Sequence, residues 1–570
     1  MSAHSIGFRF LDLIPSVKWL GDYRKEWLRP DVMAGLTSAA VVIPKAMAYA
    51  TIAGLPVQVG LYTVFIPMVV YAVLGTSRPL SVSTTTTIAI LAAAALAEVA
   101  PGAQPGELVV AAGALAVLVG AMLVLASVLR LGFVANFISE PVLIGFKSGI
   151  ALVIVVDQLP KLLGIHIEKT GFFRDVLAIV AHLPQTSIAT LVLAIVMLAL
   201  IFGLERFVPR APAPLIAVAI GIAASALFGL GGHGVATVGT VERGLPSLIW
   251  PHASLFAQMW PAAVGIALMS FTESIAAARA FGASGEPRPT PNQELLALGL
   301  ANAAGGLFGA MPAGGGTTQT AVNRKAGART QAAELITAAV AVATLLLLAP
   351  VIALMPHAVL AAVVVAYSVD LIQPAEFREI RRVRRIEFLW SLIAFAGVVL
   401  LGTLKGILVA VVASLVALAH QAYNPPVYVL GRKRGTDIFR ALSGEHADDE
   451  TWPGLLILRT EGRMFFANAP GVGEKMWALM AAAKPDVVLI DCSAVFDLEY
   501  TALKMLTEAE ENLRRDGIVL WLAALNPEVL AMVKRSQLGQ SLGRERMFFS
   551  VQMAVQAFAA RTAANTSNLR

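Results

Sequence analysis

The sequence predicts an α-helical membrane protein with many crossings, followed by a soluble α/β domain. Of the 570 residues, 57% are hydrophobic and only 14% are charged, a balance far more apolar than that of a soluble domain. Apolar runs of about 20 residues, long enough to cross the ~30 Å core of a bilayer, recur from Val32 to about Gln421. The one cysteine, Cys492, lies beyond them, so an intrachain disulfide framework is excluded.

Fourteen crossings account for the apolar part of the chain. Their expected limits are residues 31–52, 56–75, 83–98, 107–130, 136–159, 187–207, 212–230, 258–281, 294–311, 317–329, 330–353, 357–373, 386–403 and 404–421. With the N-terminus in the cytoplasm, the arginine-rich stretch 378–385 falls inside. The short outer loops 53–55, 99–106, 312–316 and 354–356 then hold no Lys or Arg. This asymmetry supports the chosen orientation.

Two of these segments are too short and too polar to be ordinary crossings. Each begins with small residues and a threonine run, Thr84–Thr87 in the third segment and Thr317–Thr320 in the tenth. Lys45 in the first segment and Glu273 in the eighth are also seven segments apart. Matching broken segments in two inverted halves indicate the substrate site of a transporter. The alternative is that the hydroxyl groups only bond to backbone or pack against other helices.

The C-terminal region alternates strand-like and helical patterns. The strand-like runs are GLLILRT, DVVLIDCS and GIVLWLAA, and the helical patterns between and after them are GVGEKMWALMAAA, TALKMLTEAEENLRRDG and NPEVLAMVKRSQL. This alternation is typical of an α/β domain. At a little over ~100 residues, the region is long enough to hold its own core.

Several ordered motifs give the chain a family resemblance. AGLTSAAVVIPKAMAYATIAGLP, ISEPVLIGFKSGIAL, PNQELLALGLANAAGGLFGAMPAGGG, AVNRKAGART and LMPHAVLAAVVV resemble the sulfate permease (SulP) family of anion transporters, and the C-terminal region resembles the STAS domain. The resemblance implies a seven-plus-seven inverted repeat with core and gate domains. It also implies that the protein forms a homodimer and contacts membrane lipids. It also implies a multi-pass protein of the cell membrane, the inner membrane in a bacterium, with the N-terminus and STAS domain cytoplasmic.

These patterns give the following domain limits. We expect a cytoplasmic N-terminal segment (1–30), a transmembrane transport domain (31–422), a linker (423–451), the STAS domain (452–560) and a tail (561–570).

The resemblance places the anion site between the facing N-terminal ends of the third and tenth segments, beside a first span that Pro44 interrupts. Helix N-termini carry unpaired N–H groups and the positive end of the helix dipole, which suits a small oxyanion. The predicted substrate-binding residues are Lys45, Thr84, Thr85, Thr317, Thr318 and Gln319.

Two of these positions depart from the family pattern. The family commonly has Gln or Glu in place of Lys45, and often Ser-Arg-Ser in place of Thr318-Gln319-Thr320. We therefore hypothesise that Lys45 supplies the positive charge that Gln319 does not. The alternative readings are that Lys45 extends to an interface or pairs structurally with Glu273.

Glu273 matches the position where family members carry an acidic residue linked to the coupling cation. If Glu273 and Lys45 meet, protonation of Glu273 would release the lysine to hold an anion. Sodium is the competing cation, but the residue one helical turn further on is Ala277, which offers no oxygen ligand. We therefore favour proton coupling.

The STAS-like region holds one candidate regulatory residue. In DCSAVFDLEYTALKML, Thr501 lies where related domains carry a phosphorylatable Ser or Thr. A phosphate there would sit favourably at a helix N-terminus. The alternative is that Thr501 caps the helix.

The sequence thus predicts a secondary transporter of small inorganic or carboxylate anions, with sulfate first, working by proton symport and alternating access. The alternatives are a sodium-coupled bicarbonate transporter, or an anion channel or exchanger on the same scaffold. An enzyme is not expected, because the sequence offers no nucleophile–base set and no phosphate-binding loop. We expect no metal, cofactor or nucleic-acid partner.

Overall fold

The structure is a computed structural model that describes residues 15–136, 139–167, 171–209, 211–251, 253–283 and 286–567. The chain divides into two compact units, Met1–Leu415 and Val416–Arg570. Residues 1–14 of the predicted N-terminal segment and 568–570 of the predicted tail lie outside the described residues.

The first unit is built from helices that surround one large apolar core. Their bounds are α1 Ser16–Gly21, α2 Lys25–Ile52, α3 Val57–Leu74, α4 Thr86–Val99, α5 Pro105–Val128, α6 Glu140–Leu163, α7 Phe172–His182, α8 Ile188–Phe207, α9 Ala213–Phe228, α10 Ala253–Phe281, α11 Pro291–Leu307, α12 Thr317–Lys325, α13 Ala332–Leu347, α14 Ala349–Ile352, α15 His357–Val369, α16 Pro374–Val383, α17 Arg385–Leu401 and α18 Thr403–Tyr423. The last of these continues into the second unit.

Each predicted crossing coincides with a helix in this series. Seven helices of the described residues are long and apolar enough to cross a membrane, judged by length and composition. The helices α1, α7 and α16 are additional to the predicted crossings. Helices α7 and α16 each have apolar residues on one face and charged residues on the other, the pattern of a helix that lies along an interface.

The first span is continuous, contrary to the break expected at Pro44. Helix α2 runs without interruption from Lys25 to Ile52 and contains both Pro30 and Pro44. A proline removes one backbone donor from a helix. Neighbouring helices can cover the freed carbonyl inside a membrane protein, and the helix around Pro44 is buried. Lys45 therefore lies on a helix face and not at a helix end.

Close backbone contact between α5 and α11 depends on glycine. A Cβ atom at Gly120 would lie 2.5 Å from the Gly299 carbonyl oxygen, and one at Gly306 would lie 2.5 Å from the Gly113 carbonyl oxygen. Small residues at such crossings let helices approach closely where lipid provides no hydrophobic driving force. The α5–α11 pair is thereby fixed as a rigid support beside the shorter helix α4.

The second unit contains a six-stranded sheet with strand order β10-β9-β7-β5-β3-β4. The strands are β3 Val427–Arg432, β4 Phe439–Ala441, β5 Leu455–Thr460, β7 Val487–Asp491, β9 Val519–Ala523 and β10 Met547–Phe548. A small parallel pair, β6 Arg463–Met464 and β8 Asp497–Leu498, lies apart from this sheet. Three of the strands, β5, β7 and β9, coincide with the predicted runs.

Helices cover both faces of this sheet, as its parallel central strands require. Alternate residues of β5 enter different cores: Leu456 and Leu458 join one apolar cluster, and Leu455 and Ile457 join the other. The helices are α19 Ala469–Ala483, α20 Tyr500–Arg515, α21 Pro527–Arg535, α22 Gln537–Leu542 and α23 Val551–Ser567. The segment expected as a linker, 423–451, contributes β3 and β4 to the sheet, because the alternating run from Val427 pairs antiparallel with β5.

Candidate functional site

Two short helices of the first unit begin at the same point. Helices α4 and α12 are each preceded by a two-residue strand, β1 (Val82–Ser83) and β2 (Gly314–Gly315). These strands pair antiparallel, with Val82 opposite Gly315. Because each strand leads directly into its helix, the N-terminal ends of α4 and α12 lie side by side.

Glycine in β2 allows this meeting point to pack against its neighbours. A Cβ atom at Gly314 would lie 2.7 Å from Cδ1 of Ile88, and one at Gly315 would lie 2.6 Å from Cδ1 of Leu80. The Gly315 N–H donates to the Ser274 hydroxyl of α10 at 2.6 Å. A larger side chain at either position would separate the strand pair from its surroundings.

The first turn of α4 presents two threonines in different situations. Thr85 is the N-cap residue, and its hydroxyl oxygen accepts a hydrogen bond from the Ile88 N–H at 3.3 Å. Thr84 is buried, and its hydroxyl has no partner among the described residues. A buried hydroxyl without a partner is costly in free energy, so this group is suited to a ligand or a water molecule.

The carboxylate of Glu273 is held by the same helix end. Its two oxygens accept hydrogen bonds of 3.0 Å from the hydroxyls of Thr85 and Thr87. The ammonium of Lys147, on α6, lies 3.8 Å from one of these oxygens. The cation beside Glu273 is therefore Lys147, and the alternative pairing of Glu273 with Lys45 is not among the ion pairs of the described residues.

Lys45 is buried against an aromatic ring. Its ammonium nitrogen lies 3.5 Å from the centroid of the Tyr367 ring, on α15, and only 3% of the residue is exposed. It makes no ion pair with the described residues. One helical turn further on, the Tyr49 hydroxyl accepts a hydrogen bond from the Thr86 hydroxyl of α4 at 2.8 Å. Lys45 is thus a buried cation one helical turn from a residue that bonds to the first turn of α4.

The predicted residues of α12 divide into two groups. Thr317 and Thr318, at the exposed start of the helix, follow the N-cap Gly316. Gln319 is buried: its amide donates to the Ser81 carbonyl at 2.8 Å and accepts from the Ser83 hydroxyl at 3.1 Å. Gln319 therefore ties the two broken segments together, and both ends of its amide are already occupied.

A cleft of about 820 Å³ lies along the other half of α4. It is lined by residues at the C-terminal ends of α2 and α4 and by residues of α6, α7 and α17. Its lining reaches Ile90, one helical turn beyond Thr86. The cleft therefore extends to about one helical turn from the start of α4.

The two candidate residues of the second unit occupy different environments. Thr501 is exposed in the first turn of α20, and the N-cap position belongs to Glu499, so Thr501 is not the cap. The Cys492 thiol is buried, and burial raises its pKa to about 12. Such a thiol is inert.

Fold and site together define a multi-pass membrane transport protein in which two half-helices meet, with an α/β domain at its C-terminal end. The chain belongs to the sulfate permease family, whose model matches residues 28–394. The STAS domain model matches residues 446–554. The family resemblance drawn from the sequence motifs is confirmed.

Curated relatives share this organisation over nearly their whole length. A protein described as a probable sulfate transporter from Mycobacterium tuberculosis is 36% identical over 557 residues, which are 96% of this chain and 98% of the relative. The chloroplastic sulfate transporter 4.1 of Arabidopsis thaliana is 30% identical over 569 residues, 95% of this chain and 82% of the relative.

Solved structures show the same fold. The murine anion transporter Slc26a9, in an inward-facing state, matches with a TM-score of 0.89 at 23% identity, over 98% of this chain and 96% of that one. The transmembrane domain of the cyanobacterial bicarbonate transporter BicA matches with a TM-score of 0.61 at 24% identity, over 69% of this chain and 98% of that domain. The expected helical membrane part with a C-terminal STAS domain is thereby confirmed.

Proposed function

We propose that the protein is a secondary active transporter that carries sulfate, or a similar small oxyanion, together with a proton. The observation that carries this proposal is the β1–β2 pair, which brings the N-terminal ends of α4 and α12 to one point. Both ends offer unpaired N–H groups and the positive ends of helix dipoles. The names of the curated relatives make sulfate the first substrate to test.

The proposed anion contacts are the backbone of both helix ends and the hydroxyls of Thr84, Thr317 and Thr318. Lys45 supplies the complementary charge, directly or through water. Two properties support this role: the ammonium is buried, and it has no ion-pair partner among the described residues. Gln319 has a different role in this proposal, because its amide holds β1 in place.

Proton coupling is assigned to Glu273. As a carboxylate it accepts two threonine hydrogen bonds and faces Lys147. A proton on Glu273 would weaken both interactions and free the hydroxyls of Thr85 and Thr87 to turn toward an anion. Protonation of Glu273 would then release Lys147 from its ion pair. Lys45 would stay beside the anion throughout.

Alternating access is supported by the way the helices pack. Helix α2 packs on α12 and α13, just as α10 packs on α4 and α5. The pair α3–α13 likewise corresponds to the pair α5–α11. Fourteen crossings arranged as two inverted groups of seven account for both correspondences. The core domain can then move against the gate domain around the bound anion. A homodimer with a cytoplasmic STAS domain completes the proposal.

The test uses purified protein in proteoliposomes. An imposed inward proton gradient should concentrate labelled sulfate inside the vesicles beyond its electrochemical equilibrium. Accumulation that needs a sodium gradient and ignores the pH difference would replace proton by sodium as the coupling ion. Equilibration without accumulation under either gradient would identify a channel. Competition by unlabelled bicarbonate, nitrate, chloride and dicarboxylates then ranks the substrates.

A further inference from the structure

Three carboxyl groups are buried around the connection between α3 and β1, residues 75–81. They belong to Asp31, Glu294 and Glu334. Two of them accept several hydrogen bonds. Asp31 accepts hydrogen bonds from the Tyr23 hydroxyl, from the Arg329 N–H and from both the N–H and the hydroxyl of Thr330. Glu294 accepts hydrogen bonds from the Tyr71 hydroxyl and from both the N–H and the hydroxyl of Thr76.

Glu334 differs from the other two. It is 0% exposed, and its Oε2 atom accepts one hydrogen bond, from the Ser81 hydroxyl at 2.8 Å. Its Oε1 atom is buried and has no partner among the described residues. None of the ion pairs of the described residues includes Glu334.

The surroundings of Glu334 do not supply a compensating cation. The helices packed against α13 are α2 and α3, with α14 following it. Their buried titratable groups at this end are Asp31 and Tyr71, whereas Lys25, Glu26 and Arg29 of α2 are exposed. Behind Tyr71 lies Glu294. In the adjoining connections, the Arg78 guanidinium lies over the Trp27 ring, and Arg329 is exposed.

Two free-energy contributions determine which protonation form of Glu334 is stable. Glu334 lies in the first turn of α13, where the helix dipole favours a negative charge by about 0.3–1 kcal/mol, up to ~2 in partly buried sites. Burying an uncompensated carboxylate costs several kcal/mol. The neutral acid is therefore the stable form in the described conformation.

We propose that Glu334 is a second proton-carrying residue of the transporter, which holds a proton in this conformation and releases it when water reaches the α3–β1 connection. The inference rests on the proposed proton-coupled transport. A neutral glutamic acid has one O–H donor, which the orphaned Oε1 atom would carry. Gln331, three positions earlier, has a buried amide oxygen without a partner, and it offers an acceptor for that donor.

Ser81 connects this acid to the anion site. Its hydroxyl bonds to Glu334, its N–H donates to the Thr320 hydroxyl at 3.2 Å, and its carbonyl accepts from Gln319 at 2.8 Å. The next residue begins β1. Ionised Glu334 would need donors that only water can add, so the proton leaves toward water when the Ser81 connection opens. Protonation of Glu334 thus favours the closed strand pair.

Infrared difference spectroscopy on the reconstituted full-length protein tests the resident proton. At neutral pH, wild type minus E334Q should show a protonated carboxyl band, and wild type minus E98Q, which alters an exposed glutamate, should show none. In S81A the same band should move to higher frequency, because its carbonyl loses a hydrogen bond. The S81A spectrum tests the proposal even if E334Q fails to fold.

Transport assays test whether the proton is carried. E334Q should still exchange internal for external sulfate but lose at least half of the accumulation that a pH gradient drives. Absence of the band from the wild-type difference spectrum would overturn the proposal. Accumulation in E334Q equal to that of the wild type would also overturn it, even if the wild type shows the band. Failure of the proposed function differs from both outcomes, because wild-type protein itself would then show no pH-driven accumulation.

Discussion

Lys147 and Glu273 face each other between α6 and α10, with 3.8 Å between the ammonium nitrogen and a carboxylate oxygen. The lysine side chain is 26% exposed, and that of the glutamate is 7% exposed. The pair therefore joins a partly accessible cation to a buried acid that also receives two threonine hydroxyls. When this ion pair breaks, the change at Glu273 is passed to the start of α4, because Thr85 and Thr87 bond to the same carboxylate.

Replacing Lys147 by glutamine should weaken proton-driven transport. Without the cation, the carboxylate form of Glu273 loses a favourable interaction, so the proposed coupling step is disturbed. We expect sulfate uptake under a proton gradient to fall about tenfold, equivalent to ~1.4 kcal/mol. The control is K405Q, which alters an exposed lysine. Unchanged uptake under a proton gradient in K147Q would show that the pair has no part in coupling.

The contact between Lys45 and Tyr367 gives a second prediction. Cation–π contacts contribute about 0.5–2 kcal/mol, so Y367L should raise the KM for sulfate by about two- to thirtyfold through misplacement of the ammonium. Y367F keeps the ring and should retain most of the affinity. K45Q should raise KM more strongly than Y367L, because it removes the charge itself. Equal KM values for K45Q and wild type would remove Lys45 from the site.

Sequence patterns located the broken segments but could not identify the partners of the charged residues. Threonine runs seven segments apart are a local signal, and both runs start half-helices that meet. The partner of Glu273 depends on how α6 packs, and Lys147 is separated from it by more than a hundred positions of sequence. Likewise, Pro44 is a local helix-breaking signal, yet the packing around α2 overrides it.

Gly315 should tolerate no side chain. In G315A the new methyl group would lie 2.6 Å from Cδ1 of Leu80, which is fully buried, and 3.0 Å from the Ser274 backbone, so the Leu80 side chain, β2 or α10 must move. Overpacking of this kind costs about 1–3 kcal/mol. We expect a lower thermal unfolding midpoint and a loss of sulfate uptake. The matched control is G106A, where no atom lies within 4 Å of the added methyl group. Equal midpoints for both variants would contradict the close approach at β2.

Cys492 should make the stability of the second unit fall at alkaline pH. Its pKa is raised by burial from 9.0 to about 12, so above pH 9 the unfolded chain loses this proton while the folded domain keeps it. Because the folded state then binds more protons, the free energy of unfolding decreases as pH rises from about 9 to about 12. The C492A variant should lose this component, so the difference in unfolding free energy between wild type and C492A should change with pH only in that window. A difference that stays constant from pH 7 to pH 11 would show that the thiol ionises as readily in the folded domain as in the unfolded chain.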